Sequence, residues 1–246
     1  MQEGGGRLET GKEAAAVYKT EKATLYYADF LEIAGSMEDN SVDMVFTDPP
    51  FELAVGGMKN GKLNYEGGEI FRNYGFSTKN IPFTEWIPEI YRILKSRRYF
   101  YVMTNDRNIF SIHKACVDCN FKFCELLVLD KKMTVPSTYY PKRAEFILMY
   151  RKGNYRKSHF LGSTVIEERM PRGKEKRHPT EKPVSMIEHL VMCSTLENEV
   201  CFDPFMGSGS TGEACIRADR RFIGVEIEDK WFTVSQNRII QLCDLL

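Results

Sequence analysis

No apolar run in the chain approaches the ~20 residues that a membrane-spanning helix needs, so no membrane span is expected. Net charge is missing as well: 34 basic side chains balance 34 acidic ones, and no global field draws the chain toward a polyanion. Residues 1–20 lack an apolar signal core and are rich in Gly, Glu and Lys; the expectation is a disordered tail. Internal repeats are absent. The seven cysteines form no even framework, which favours reduced thiols in a cytoplasm. His113, Cys116, Cys119 and Cys124 have a spacing worth weighing as a metal site, but no second Cys-x2-Cys pair completes the common zinc pattern. A helix carrying small apolar cysteines into a following strand accounts for them, and no metal is expected.

What is present is ordinary globular composition, 43% hydrophobic and 28% charged, in 246 residues. That is enough for one large α/β domain, expected over 21–246. Strand-like and helix-like segments alternate, as a parallel sheet requires. Strands are expected at 24–28, 42–47, 98–104, 123–129, 144–150, 199–202 and 221–225. Helices are expected at 83–95, with Thr84 as N-cap, at 109–118, 183–196 and 211–218, and from 229 onward. Residues 52–80 hold six glycines and no clear period; they are expected to be a mobile flap. The charge is unevenly spread. Lys142, Arg143, Arg151, Lys152, Arg156, Lys157, Arg169, Arg172, Lys174, Lys176 and Arg177 face only Glu145, Glu167, Glu168 and Glu175 in their segment. The segment is either a phosphate-contacting surface or a solvated face.

Two motifs carry chemistry. Asp48-Pro49-Pro50-Phe51 follows the strand-like run Val42-Asp43-Met44-Val45-Phe46-Thr47. Two successive prolines supply carbonyls and no N–H. With a carboxylate and an aromatic ring beside them, they suit a flat ligand bearing an exocyclic amine; a plain proline turn is the alternative. Far downstream, Gly207-Ser208-Gly209-Ser210-Thr211-Gly212 lies between a strand ending in Asp203 and a helix, and Glu226 ends the next strand. Glycines allow close backbone approach, a helix N-terminus offers free N–H groups, and a carboxylate about 20 residues on can accept from ribose hydroxyls. No Lys follows the second glycine, which excludes a nucleoside-triphosphate P-loop. A nicotinamide dinucleotide and S-adenosylmethionine both fit the loop. Only residues 227–246 follow Glu226, so the remaining strands must come from the N-terminal side, an unusual order for a dinucleotide-binding protein.

Taken with His178-Pro179-Thr180-Glu181-Lys182-Pro183 and Asp203-Pro204-Phe205-Met206-Gly207-Ser208-Gly209-Ser210-Thr211, the Asp48-Pro49-Pro50-Phe51 motif resembles the permuted (beta-group) amino-methyltransferases of DNA. Asn40-Ser41-Val42-Asp43, Asp130-Lys131-Lys132 and Glu145-Phe146-Ile147-Leu148 resemble the family too, over roughly residues 24–240. The resemblance implies a seven-stranded Rossmann-like sheet with helices on both faces, a circularly permuted motif order and S-adenosylmethionine as donor. It places Asp48, Pro49, Pro50 and Phe51 at the catalytic centre. Phe205, Gly207, Ser208 and Gly209 would line the donor's methionine and ribose, with Ser210 and Thr211 in the same cofactor set. Asp203 would face the amino group and Glu226 the ribose. Asp29 and Phe30 would contact adenine, while Thr180, Lys182 and Pro183 would help hold the carboxylate. Asp at position 48 suggests adenine N6 as target, with cytosine N4, or adenine in RNA, as alternatives. Phe51 stands where the family often has Tyr. DNA is the implied partner, gripped by Lys142, Arg143, Arg156, Lys157, Arg172 and Lys174. A short basic target-recognition segment is expected at about 151–177. A homodimer and a paired restriction nuclease are further expectations, as is a bacterial or phage-encoded cytoplasmic protein. Two other classes remain in view: a catalytically idle nucleic-acid-binding module and a nicotinamide-dependent oxidoreductase.

Overall fold

The computed structural model describes residues 18–50, 57–59, 62–64, 81–137, 139–154, 162–171, 177–178 and 180–244. Residue 51, nearly all of the expected flap at 52–80, the N-terminal residues 1–17, and Arg156, Lys157, Arg172 and Lys174 lie outside that set. Within 57–64, two three-residue strands, β4 (Gly57–Lys59) and β5 (Lys62–Asn64), pair antiparallel.

The remaining strands form one mixed sheet of nine. They are β1 (Tyr18–Lys19), β2 (Ala23–Tyr27), β3 (Val42–Thr47), β6 (Leu94–Thr104), β7 (Lys122–Val135), β8 (Lys142–Arg151), β9 (Val165–Glu167), β10 (Val200–Asp203) and β11 (Arg221–Glu226). Their order is β1-β2-β11-β10-β3-β6-β8-β7-β9. The seven expected strands are all present. The two additional ones are edge strands of two and three residues, too short to leave a periodic trace in the sequence. β1 also corrects the expected tail, because Tyr18 and Lys19 pair antiparallel with β2 rather than trailing free. β2, β11, β10, β3 and β6 run parallel to one another, while β8 is antiparallel to both β6 and β7.

Parallel strands covered on both faces read as continuous apolar runs, and β3 is buried at all six positions. Its one charged residue, Asp43, is matched by Arg98 at 2.8 Å, by Lys95 at 2.9 Å and by the Val200 N–H at 3.0 Å. One face packs helices α1 (Phe30–Ser36), α2 (Phe83–Ile93) and α3 (Ile109–Asp118) through Phe30, Ile33, Trp86, Ile90 and Ile112 onto Val45, Phe100 and Phe202. The other packs α4 (Val184–Ser194), α5 (Ser210–Arg217) and α6 (Asp229–Cys243) through Ile187, Val191, Ala214, Phe232 and Ile239 onto Leu25, Met44, Phe46 and Tyr101. Alternate side chains of β3 thus serve opposite layers, which is the two-residue period of a strand at work.

Local starts and stops follow backbone chemistry. Asp29 caps α1, accepting the Leu31 N–H at 2.8 Å. Thr84 does not cap α2; Pro82 is the N-cap and makes no side-chain cap bond. Phe83 is already helical, so Thr84 falls inside the first turn. Cys116 and Cys119, weighed earlier as metal ligands, sit in and just after α3, with Cys116 in the core. Among the described residues no group of His, Cys, Asp and Glu is arranged to hold a metal ion.

The chain leaves β3 for β6 on the α1–α3 side and leaves β10 for β11 on the α4–α6 side. The direction of winding therefore reverses between β3 and β10. In open α/β sheets the crevice beyond the carboxyl ends of two such strands is where ligands bind. Asp48 follows β3, and Asp203 ends β10.

Candidate active site

Thr47, the last residue of β3, ties the two strand ends together. Its hydroxyl donates to Asp203 Oδ1 at 3.0 Å. Asp203 also accepts the Phe205 N–H at 3.1 Å and, on Oδ2, the Thr211 hydroxyl at 2.6 Å. Burial pushes the Asp203 carboxyl up to about 7, against the pull of those three donors. The group is thus poised to ionise when a cation arrives.

The glycine loop is built around positive φ. Gly207 has φ +51° and Gly209 φ +78°, values at which a side chain is strained. The two differ in their surroundings. A Cβ on Gly209 would meet the Ser235 backbone at 3.2 Å, so Gly209 is packed down onto α6. A Cβ on Gly207 would meet nothing within 4 Å, so the space above Gly207 is open for a ligand. Glu226, at the end of β11, accepts the Gly207 N–H at 2.9 Å and the Glu228 N–H at 2.8 Å. It is buried, and burial lifts its pKa. The Ile227 N–H approaches it as well, and a carboxylate, with about four acceptor positions, keeps room for a hydroxyl. Phe205 and Phe30 form an edge-to-face pair with centroids 5.7 Å apart, and Asp29 stands beside them at the end of β2. The open space over Gly207, the acceptor Glu226 and the aromatic pair fit the ribose and adenine of S-adenosylmethionine.

Beneath the loop, Arg238 of α6 is buried and serves as a brace. Its guanidinium donates to the Ser208 carbonyl at 3.1 Å and the Ser210 hydroxyl at 3.2 Å, pairs with Glu181 at 2.8 Å and hydrogen-bonds Glu213. Ser208 and Ser210, expected to face the donor, are therefore also held from behind. Glu181 in turn belongs to the segment carrying Thr180, Lys182 and Pro183. Thr180 shares a 3.0 Å hydrogen bond with His178 Nδ1, and Pro183 caps α4. An open pocket of about 500 Å³ lies against Arg177, Glu181, Lys182, Pro183, Arg217 and Arg238.

Lys182 takes a position that spacing alone did not suggest. Its ammonium lies 2.7 Å from Asp48 Oδ2 and 3.2 Å from Glu145 Oε2, and Glu145 Oε1 is 3.3 Å from Lys131 Nζ. Carboxylates and ammoniums thus alternate from Asp48 out to Lys131. Burial works to lower the Lys182 pKa, but Asp48 and Glu145 outweigh it and hold the group above its ordinary range. Burial likewise opposes the Glu145 charge, and Lys182 and Lys131 prevail, keeping its carboxyl below the usual value. Asp48 is lifted by burial despite Lys182. Pro49 is buried and Pro50 exposed beyond it, while Phe51 is outside the described residues. Lys142 and Arg143, expected to contact phosphates, are exposed but engaged: Lys142 with Asp106 at 2.7 Å and Arg143 with Asp130 at 2.5 Å.

A doubly wound sheet that turns a glycine loop, an acidic strand end and an Asp-Pro-Pro turn toward one crevice defines an S-adenosylmethionine-dependent methyltransferase. The profile of the DNA methylase family matches residues 42–237, and the chain belongs to that family. It is 28% identical over 244 residues to the Type II methyltransferase M2.LlaDCHI of Lactococcus lactis subsp. cremoris, covering 90% of this chain and 91% of that one. M2.DpnII of Streptococcus pneumoniae is 27% identical over 245 residues with the same coverage. Among solved structures, the M1.HpyAVI–SAM complex superposes with a TM-score of 0.67 at 25% identity, covering 88% of this chain and 98% of that one.

Proposed function

We propose that this enzyme methylates the exocyclic N6 amine of adenine in DNA, acting on a base rotated out of the duplex. The observation that supports the proposal is that Asp48, just past the end of β3, and Asp203, at the end of β10, stand at one crevice, with Thr47 hydrogen-bonded to Asp203 between them. When bound, S-adenosylmethionine supplies an electrophilic methyl group. The chain's residues supply the rest. The adenine amine is a poor nucleophile because its lone pair is delocalised into the ring. Asp48 and the Pro49 carbonyl accept its two N–H groups, which localises the lone pair and aims it. Asp48 then takes up the proton the amine sheds, or passes it to water. Positioning and electrostatics carry most of the catalysis. A paired base cannot reach this crevice, so rotation out of the stack, at a cost of a few kcal/mol, comes first.

In the same proposal Thr180 and Pro183 hold the donor's carboxylate end together with Lys182, whose ammonium also contacts Asp48. The motif order is the permuted one. We propose in addition a cytoplasmic enzyme that works as a homodimer beside a restriction nuclease; the relatives are bacterial Type II methyltransferases. The test is methyl transfer from labelled donor to DNA, followed by nucleoside analysis. N6-methyladenine is expected in the product, and Asp48→Ala should bind donor normally yet transfer nothing. N4-methylcytosine in the product, or transfer by Asp48→Ala at a near-normal rate, refutes the assignment.

A further inference from the structure

The β7–β8 hairpin overshoots the sheet on the edge that holds the active site. β8 stays paired with β6 only as far as Phe146 opposite Thr104, and β6 runs parallel to β3, with Val102 opposite Thr47. Residues 142–145 of β8, and β7 beyond residue 128, therefore project past the ends of β3 and β6. The root of this projection is fixed. Glu145 reaches Lys182, and through it Asp48, while Lys142 and Arg143 pair with Asp106 and Asp130. At the tip stand Tyr139 and Tyr140, 89% and 87% exposed. At ~3.3 Å per residue, Tyr140 lies within about 17 Å of Glu145 even if that stretch is fully extended.

We propose that Tyr139 and Tyr140 form a stacking platform for the bases that flank the target nucleotide. The inference rests on the DNA substrate proposed above and adds an element outside the basic 151–177 segment. Charge does not recommend the tip: Lys131, Lys132, Lys142 and Arg143 are each matched by a carboxylate. What the tip offers is two aromatic faces at the edge where a rotated base leaves a gap in its stack. Stacking needs no particular base, because every base has a π-face. A tyrosine ring suits the role, since its hydroxyl stays hydrated when the protein is free.

The test uses the full chain and a fluorescently labelled single-stranded oligonucleotide containing adenine. The Tyr139→Ala/Tyr140→Ala variant should bind it roughly tenfold or more weakly, the scale of losing base–aromatic stacking. Its KM for DNA should rise in parallel while its donor affinity and melting temperature stay put. Tyr139→Phe/Tyr140→Phe should bind as the parent does. The ratio between parent and alanine variant should hold constant as salt is raised, because no phosphate contact is lost. Unchanged DNA affinity in the alanine variant overturns the platform. So does unchanged affinity accompanied by a slower-sedimenting species, which would mark the tip as a contact between copies. If the parent binds DNA, the alanine variant does not, and neither transfers methyl, the proposed reaction fails and the platform stands.

Discussion

Replacing Lys182 with methionine keeps the length of the side chain and removes the charge between Asp48 and Glu145. The size of the effect follows from geometry. Lys182 is 11% exposed, Asp48 23% and Glu145 25%, so the cluster is largely but not fully desolvated. Removing one partner of a buried pair costs about 3–5 kcal/mol; the residual exposure, and Lys131 still at Glu145, argue for the lower end, about 3 kcal/mol. For a chain of this size each kcal/mol is worth about 2–4 °C, so the melting temperature should fall by about 6–12 °C at neutral pH. The sign of the pH dependence separates charge from packing. Without the ammonium, Asp48, already raised by burial, rises further above its unfolded pKa, and Glu145 loses one of the two cations that hold its carboxyl down and so moves upward too. A carboxyl raised in the folded state contributes stability at low pH and loses it as pH climbs through the folded pKa. The deficit should therefore be large near about pH 8 and shrink toward about pH 5. Adding Glu145→Gln should recover part of the loss, because it removes one of the two facing charges, and the double-mutant cycle should show that coupling. Scanning calorimetry of the parent, both single variants and the double variant across pH is the assay. An equal drop at both pH values, or strict additivity, would show that the ammonium fills space rather than balances charge.

Other expectations concern the donor. Glu226→Ala removes the acceptor proposed for the ribose hydroxyls and frees the Gly207 N–H; hydrogen bonds to charged groups are worth about 1.5–3 kcal/mol, so donor affinity by titration calorimetry should drop about 10- to 100-fold. Unaltered affinity would remove Glu226 from the site. Asp203, pushed up to about 7, should bind the donor's ammonium best when ionised. Donor affinity should then rise as pH climbs through about 7, with proton release detectable in buffers of different ionisation enthalpy, and Asp203→Asn should flatten the profile. The raised carboxyl also means that its own contribution to stability is lost over the same climb, so ligand-free protein should become less stable while donor binds more tightly.

The alternation of strands and helices was readable because β3, β6 and β10 are buried enough to be written as apolar runs, and because Gly207 and Gly209 punctuate the β10–α5 turn. The edge strands β1 and β9 were not, since two or three residues carry no period. Thr84 misled because a good capping side chain cannot act once Pro82 and Phe83 have started the turn. Within the site, Asp48, Asp203 and Glu226 were visible as carboxylates at strand ends. The Lys182–Asp48–Glu145 cluster was not, because it joins three segments whose proximity depends on strand order. Arg238 did leave a signal: it falls on the buried stripe of α6 with Trp231, Phe232, Ser235 and Ile239, and an arginine there must answer a buried acid. Glu181 and Glu213 are that answer.

The brace from α6 has a consequence for how the molecule comes into being. The loop that fits the donor is held by Arg238 of α6, its edge is closed by the Glu226 carbonyl on the Ala28 N–H, and the β2–β11 seam joins segments as far apart as Lys22 and Asp219, 197 positions. Parallel pairing over such separations is slow to form. A growing chain on the ribosome therefore exposes Asp48 and its neighbours long before any site for the methyl donor exists. Donor binding selects finished molecules, and by mass action it rewards them, adding stability only after the two distant segments have met.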